Sequence, residues 1–290
     1  MRASAFSPSH ITGFFQIFRC PDELKTGSRG CGVVINQGTR TDVRVEDSDA
    51  NEIKIFVNAK PCDCPVTGMA ADEMLKLADG TYKVEISQSV DVPIKYGFGA
   101  SASGALSTGL ALNEALDLNL TETKIGQVAH FCEIKNMTGL GDVMAEFNGG
   151  LVIRLKEGAP GIGRVSKIPC DDFVVAFIIG EELETKAVLK DEIKKKRINN
   201  IGRLCLNSLL KAPDHSNFLR LSKKFAVKTG LLNKKVKGAM VELERQGVAS
   251  SMIMLGNSLF TITDDPERVS EMLDYKYIIA DIDHEGARLI

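Results

Sequence analysis

The sequence has no apolar run of the roughly 18 residues that a membrane span requires. Its first residues show no charged stretch leading into an apolar one, so neither a signal peptide nor a membrane location is expected. Positive charge is not in excess either. Lys and Arg total 36 against 38 Asp and Glu, a net charge of −2, which argues against general nucleic-acid binding. The one basic run, Lys194-Lys195-Lys196-Arg197, reads as a solvated helix face. The seven cysteines are odd in number and scattered, which suits a reducing cytosol better than a disulfide framework. Cys62 and Cys64 form a C-D-C pair between two prolines. A metal reading of that pair needs a second ligand pair, which Cys20 and Cys31 would supply only by folding.

What is present is an ordinary globular composition. At 290 residues, 44% hydrophobic and 26% charged, the chain suits one large domain or two smaller ones. A short opening strand is expected to break at Ser7-Pro8-Ser9-His10 and Gly13. A glycine-rich turn follows at 27–32 (G-S-R-G-C-G), then strands near 33–35, 41–45 and 53–57. Pro61 and Pro65 mark a loop, 69–77 is helix-like, and strand residues lead from Val84 into a second glycine loop. Helices are expected at 101–117 and 121–136, the latter capped by Thr121, before another loop begins at Gly139 and Gly141. Leu151 to Leu155 is an apolar strand, and E-G-A-P-G-I-G at 157–163 is the best linker. Beyond it come a strand at 173–179, helices near 186–212, 216–230 and 233–246, strands at 251–256 and 259–263, a helix at 265–273 and a strand at 276–281. The pattern is α+β, in two lobes divided as 1–160 and 161–290.

The segment Pro93 to Ala105, P-I-K-Y-G-F-G-A-S-A-S-G-A, carries the chemistry. Glycine lets backbone approach a ligand closely. The helix that follows offers unpaired N–H groups and the positive end of its dipole. Together they make an anion site, most often for phosphate. No lysine follows the glycines, which excludes a Walker loop. Gly97, Gly99 and Ala102 match G-x-G-x-x-A, so a dinucleotide-binding oxidoreductase is a rival, although Pro93 and Lys95 interrupt the strand that fingerprint requires. A glycine-rich helix start with no ligand is the other alternative.

The same segment resembles the P-x-x-x-G-L-G-S-S-A-A signature of the GHMP kinases, with Phe98 in place of leucine and Ala100 in place of the first serine. A second stretch, G-L-G-D-V-M-A-E-F-N-G-G at 139–150, is similar to the family's G-x-x-D loop with its double glycine. The third glycine-rich motif is altered. Met252 to Phe260 keeps only Gly256, which leaves open how that turn closes over the phosphates. Four fragments, P-S-H-I-T-G-F-F at 8–15, G-S-R-G-C-G at 27–32, G-F-G-A-S at 97–101 and M-L-G-N-S at 254–258, are together similar to the archaeal branch of the family whose acceptor is pantoate.

The resemblance implies an α+β two-lobe GHMP-kinase fold, with an N-terminal βαβ-type nucleotide-binding lobe and a C-terminal ferredoxin-like lobe. It implies ATP held along Pro93, Gly97, Phe98, Gly99, Ala100, Ser101, Ala102 and Ser103, and Mg2+ held by Glu133 with Ser101 or Ser103. Asp142 would be the base that activates the acceptor hydroxyl. Those residue types suit the chemistry. Magnesium takes hard oxygen ligands, and phosphoryl transfer is mostly positioning and charge neutralisation. For the acceptor, Arg154 has the fork for a carboxylate. Ser28, Arg29, His130 and Thr185 are further candidates, with Phe14 and Phe15 as apolar walls. Each has a plainer reading: a surface ion pair for Arg154, a satisfied buried histidine for His130, a turn residue for Ser28, a helix cap for Thr185, a solvated carboxylate for Glu133 and a loop residue for Asp142. A cytoplasmic homodimer is implied, with pantoate and ATP as its small-molecule partners. Kinases for homoserine or mevalonate and a non-catalytic nucleotide-binding regulator are the remaining alternatives. The loop at 58–68 is the candidate for adenine contacts.

Overall fold

A computed structural model of the chain describes residues 1–181 and 192–290. Its first sheet is built on a long antiparallel pair, β1 (Arg2–Phe18) and β2 (Gly27–Asp47), in register from Arg2 opposite Arg44 to Phe18 opposite Gly27. The opening strand does not break at Ser7–His10, as its proline and glycine suggested. Bulges at Pro8/Ser9 and Thr12/Phe14 absorb both residues and let the strand continue. β3 (Glu52–Val57) and β5 (Tyr82–Val90) lie parallel, joined through α1 (Pro65–Leu75), which is the expected βαβ element. β4 (Lys60–Pro61) is a short hairpin partner of β3.

β6 (Leu151–Lys156) and β7 (Arg164–Ile168) extend the first sheet from the start of β2. The stretch 157–163 is therefore the loop of a hairpin within one sheet, not a linker, and pairing with β6 carries the chain past residue 160 before the first sheet ends. The second sheet is antiparallel, in the order β11 (Lys276–Ala280), β8 (Phe173–Ile178), β10 (Ser258–Thr263), β9 (Ser251–Met252). It is the ferredoxin-like lobe.

The helices follow from their apolar faces and caps. α2 (Ala100–Ala115) is buried almost all round and lies across β1 and β2, with α1 and α3 (Glu122–Asn136) packed beside it. Small residues permit this close approach, and the hydroxyls they bring are paired: Ser103 with Thr39 at 2.7 Å and Ser107 with Thr41 at 2.6 Å. Thr121 caps α3 by accepting from Lys124 N–H. α4 (Asp142–Asn148) occupies a stretch expected to be loop. α5 (Glu192–Leu209), α6 (His215–Thr229), α7 (Lys234–Arg245) and α8 (Pro266–Ser270) belong to the second lobe.

One continuous apolar core joins the lobes. Phe14 and Phe15 of β1 meet Phe218 and Phe225 of α6, with ring centroids 5.5–6.4 Å apart, and Phe218 meets Phe260 of β10 at 5.9 Å. After β11 the chain returns to the first sheet. Asp283 donates its N–H to Val34 O and accepts from Gly150 N–H, Ala287 N–H bonds Glu146 O at 3.0 Å, and β12 (Arg288–Leu289) pairs with β1. Cys62 and Cys64 form a disulfide with each other, against the expectation of free thiols.

Candidate active site

A cavity of about 360 Å³ opens between the lobes. Gly97 to Ser101 form one wall, Met137 to Asp142 another, and Thr12, Phe15, Ser28, Arg154, Met254 and Leu255 are among the other residues that line it. Gly99 caps α2 in the left-handed conformation (φ 72°) and has no side chain to accept from the first turn, so the helix N-terminus is left for an anion. The altered third motif closes over this loop directly. Leu255 takes a positive φ of 61°, and Gly256 comes so close that a side chain there would collide with the Tyr96 carbonyl. The single retained glycine is the one the contact requires.

Two carboxylates face each other across Gly139. A Cβ at Gly139 would fall on Glu133 Oε2 and within 2.7 Å of Asp142 Oδ2. Glu133 is buried near the end of α3 and accepts from Thr138 Oγ1 at 2.7 Å and from the Ser101 hydroxyl. Burial pushes its carboxyl up to about 7, against the pull of those two hydrogen bonds and with the Asp142 charge adding to it. Asp142 opens α4. Burial alone would raise it, but the His10 hydrogen bond and the Arg154 charge hold it below the ordinary carboxylate value.

His10 was not foreseen as a site residue. Its ring is fully buried. Nδ1 lies 2.8 Å from Asp142 Oδ1, and Nε2 accepts from Arg154 Nη1 at 3.1 Å. Burial lowers its pKa, so the ring is neutral near pH 7. Glu146, one turn beyond Asp142 on α4, was also missed. It is fully buried beside Gly99, and neither carboxylate oxygen has a hydrogen-bond partner among the described residues. Burial, then the charges of Asp142 and Glu133, raise its carboxyl well above the ordinary range.

Of the residues singled out from the sequence, Gly97, Phe98, Gly99, Ala100, Ser101, Asp142, Arg154 and Ser28 line the cavity. Arg154 is buried, and its Nε has no partner among the described residues. Ser103 is fully buried and bonded to Thr39 and to Ala100 O, away from Glu133. Ala102 belongs to the core, and Pro93 stands just outside the lining. Phe15 lines the cavity, whereas Phe14 is core. Arg29 is turned away, paired with Glu157 at 2.5 Å and stacked over Phe18. His130 donates from Nε2 to Thr26 O at 2.9 Å and is a satisfied buried histidine outside the lining. Thr185 lies outside the described residues. Pro65, from the loop proposed for adenine, reaches the cavity rim.

The residues present fit a magnesium–nucleotide pair. Glu133 carries an ionisable oxygen that burial leaves short of compensating charge, the Ser101 hydroxyl is bonded to it, and a bare helix N-terminus lies beside both. Among the described residues no helix is long and apolar enough to cross a membrane.

Comparison with known proteins gives a consistent picture. The sequence model described as GHMP kinases N terminal domain matches residues 66–150. Pantoate kinase of Methanocaldococcus jannaschii is 40% identical over 260 residues, covering 89% of this chain and 92% of the relative. Pantoate kinase of Thermococcus kodakarensis is 37% identical over 272 residues, covering 92% and 89%. Among solved structures, a phosphotransferase related to the CoA biosynthesis pathway superposes with a TM-score of 0.91 at 35% identity, covering 100% of this chain and 99% of that one. Homoserine kinase from Cytophaga hutchinsonii superposes with a TM-score of 0.71 at 14% identity, covering 100% and 97%, which shows a shared fold.

Proposed function

This chain belongs to the pantoate kinase family of the GHMP kinases, and we propose that it transfers the γ-phosphoryl group of ATP to the hydroxyl of pantoate, giving 4-phosphopantoate for coenzyme A biosynthesis. The observation that supports this most is the setting of Asp142. Its carboxylate sits at the cavity between Glu133 and His10 and is held ionised there.

In this reading the phosphates of ATP lie along Gly97 to Ser101 at the start of α2. Glu133 and Ser101 hold Mg2+, which neutralises phosphate charge when bound. Ser101 is preferred to Ser103 because its hydroxyl already reaches Glu133, whereas that of Ser103 is committed to Thr39. Asp142 accepts the proton of the acceptor hydroxyl as transfer proceeds. Arg154 and Ser28 supply donors for the acceptor's carboxylate. Phe15, Phe98, Leu140 and Met254 give apolar walls for its branched body. The Pro65 rim is where the adenine would extend. A cytoplasmic homodimer completes the reading and rests on the family resemblance alone.

The test is ADP release from ATP and magnesium with D-pantoate, homoserine and mevalonate offered separately. Release with pantoate alone is expected. Asp142→Asn should lower turnover by about 10²–10⁴-fold while ATP binding persists. Near-normal turnover in that variant would remove the base assignment, and release with another acceptor would remove pantoate.

A further inference from the structure

We propose that His10 is a positioning residue of the transfer site. Its Nδ1–H pins one oxygen of Asp142 so that the other is presented to the acceptor hydroxyl. This rests on the reading of Asp142 as base.

The tautomer follows from the partners. A guanidinium donates and cannot accept. Arg154 Nη1 at 3.1 Å therefore requires a lone pair on His10 Nε2, and the proton of the neutral ring must sit on Nδ1. From there it points at Asp142 Oδ1, 2.8 Å away. The other oxygen, Oδ2, lies beside Gly139 on the Glu133 side of the cavity. Both ring nitrogens are thus engaged. His10 has no free site with which to take the substrate's proton, so its part is orientation and not relay.

The ring is built in. Its backbone N–H donates to Phe98 O at 3.1 Å, tying it to the phosphate loop. Bulges on either side turn this piece of β1. On the neighbouring strand, a Cβ on Gly32 would collide with His10 Nε2, so glycine makes the room the ring needs. The arrangement also separates Arg154 from the base. A neutral imidazole in direct contact orders the carboxylate without setting a full positive charge against it, so Asp142 keeps more basicity than a cation in the same place would allow. In the proposed reading Arg154 also meets the acceptor's carboxylate, so one side chain would join acid recognition to base orientation.

The test compares His10→Asn with His10→Gln, because Asn carries an amide N–H near the Nδ1 position and Gln near the Nε2 position. His10→Asn is expected to retain turnover within about tenfold, and His10→Gln to lose about 100-fold, since small misplacements of a reacting group have effects of that size. The loss should fall on kcat, with KM for ATP changed less than about threefold. Equal activity of the two variants, whether high or low, would overturn the proposal by making the ring a packing element. Nitrogen NMR of the wild-type histidine gives an independent check that needs no variant. A protonated Nδ1 with a bare Nε2 is expected, and the reverse tautomer would overturn the proposal. Turnover in Asp142→Asn measured alongside identifies failure of the base reading separately, because that failure leaves the tautomer untouched.

Discussion

Replacing Glu146 by glutamine should stabilise the protein, and increasingly so as pH rises. The carboxyl is fully buried with no hydrogen-bond partner among the described residues, beside Gly99 and the Asp142 side chain. Burial, followed by the Asp142 and Glu133 charges, raises its folded-state pKa well above the ordinary 4.5. A group shifted upward on folding contributes no penalty below its unfolded pKa. Above that value the unfolded chain releases a proton that the folded chain retains, and stability falls until the pH passes the folded pKa. The loss is about 1.4 kcal/mol per pH unit over that window. Glutamine has nearly the same shape and no proton to lose, so Glu146→Gln should match the wild type near pH 4 and gain on it by about 1.4 kcal/mol for each pH unit above the ordinary carboxyl value, until the folded pKa is passed. In urea unfolding each such unit is a midpoint shift of about 0.5 M for a slope near 3 kcal/mol/M. A stability difference that stays constant from pH 4 to pH 7 would refute the reasoning, since it would show that Glu146 does not change protonation between the two states.

The two loop serines should separate cleanly. Ser101→Ala is expected to raise the magnesium concentration needed for half-maximal ADP release while leaving the thermal midpoint nearly unchanged, whereas Ser103→Ala should destabilise by about 1–3 kcal/mol because Thr39 loses its buried partner. The opposite assignment of effects would move the metal ligand to Ser103. Gly256→Ala forces a Cβ into the Tyr96 carbonyl. It should cost about 1–3 kcal/mol in denaturant titration and raise KM for ATP, and unchanged ATP affinity would show that the turn does not set the loop.

Much of the fold was legible because most elements announce themselves locally. The α2 segment begins where glycines give way to an apolar helical pattern, Thr121 marks the start of α3, and Phe173–Ile178 is an uninterrupted apolar strand. The errors have identifiable causes as well. Pro8 and Gly13 look like breaks until bulges accommodate them, and that depends on a partner strand far away in sequence. α4 has only seven residues between glycines, too short to show a period. The loop residues that line the cavity, Gly97 to Ser101 and Asp142, carried a family pattern by which the sequence singles them out. His10 lies inside the family-like fragment at 8–15, but nothing local marks it as a site residue, since its two partners lie 132 and 144 residues away. Glu146 is a lone carboxylate between Ala145 and Phe147 with no motif to mark it, and only the packing of α4 against Gly99 shows it buried. Arg29 and His130 illustrate the converse, because residue type and neighbourhood suggested substrate contacts while nearer groups, Glu157 and Thr26 O, satisfy them.

The return of the chain to the first sheet has a consequence for how the enzyme is made. Asp283 bonds Val34 and Gly150, and Ala287 bonds the end of α4. A ribosome that has delivered the phosphate loop, Glu133 and Asp142 has not yet delivered what fixes α4 in place. At ~5–20 residues per second, on the order of ten seconds separate the two events. Throughout that interval the nascent chain carries the phosphate loop and both carboxylates but lacks the final strand pairing, so catalytic competence should arrive in one step, after residues 282–289 leave the exit tunnel, and not grow as the first lobe is translated.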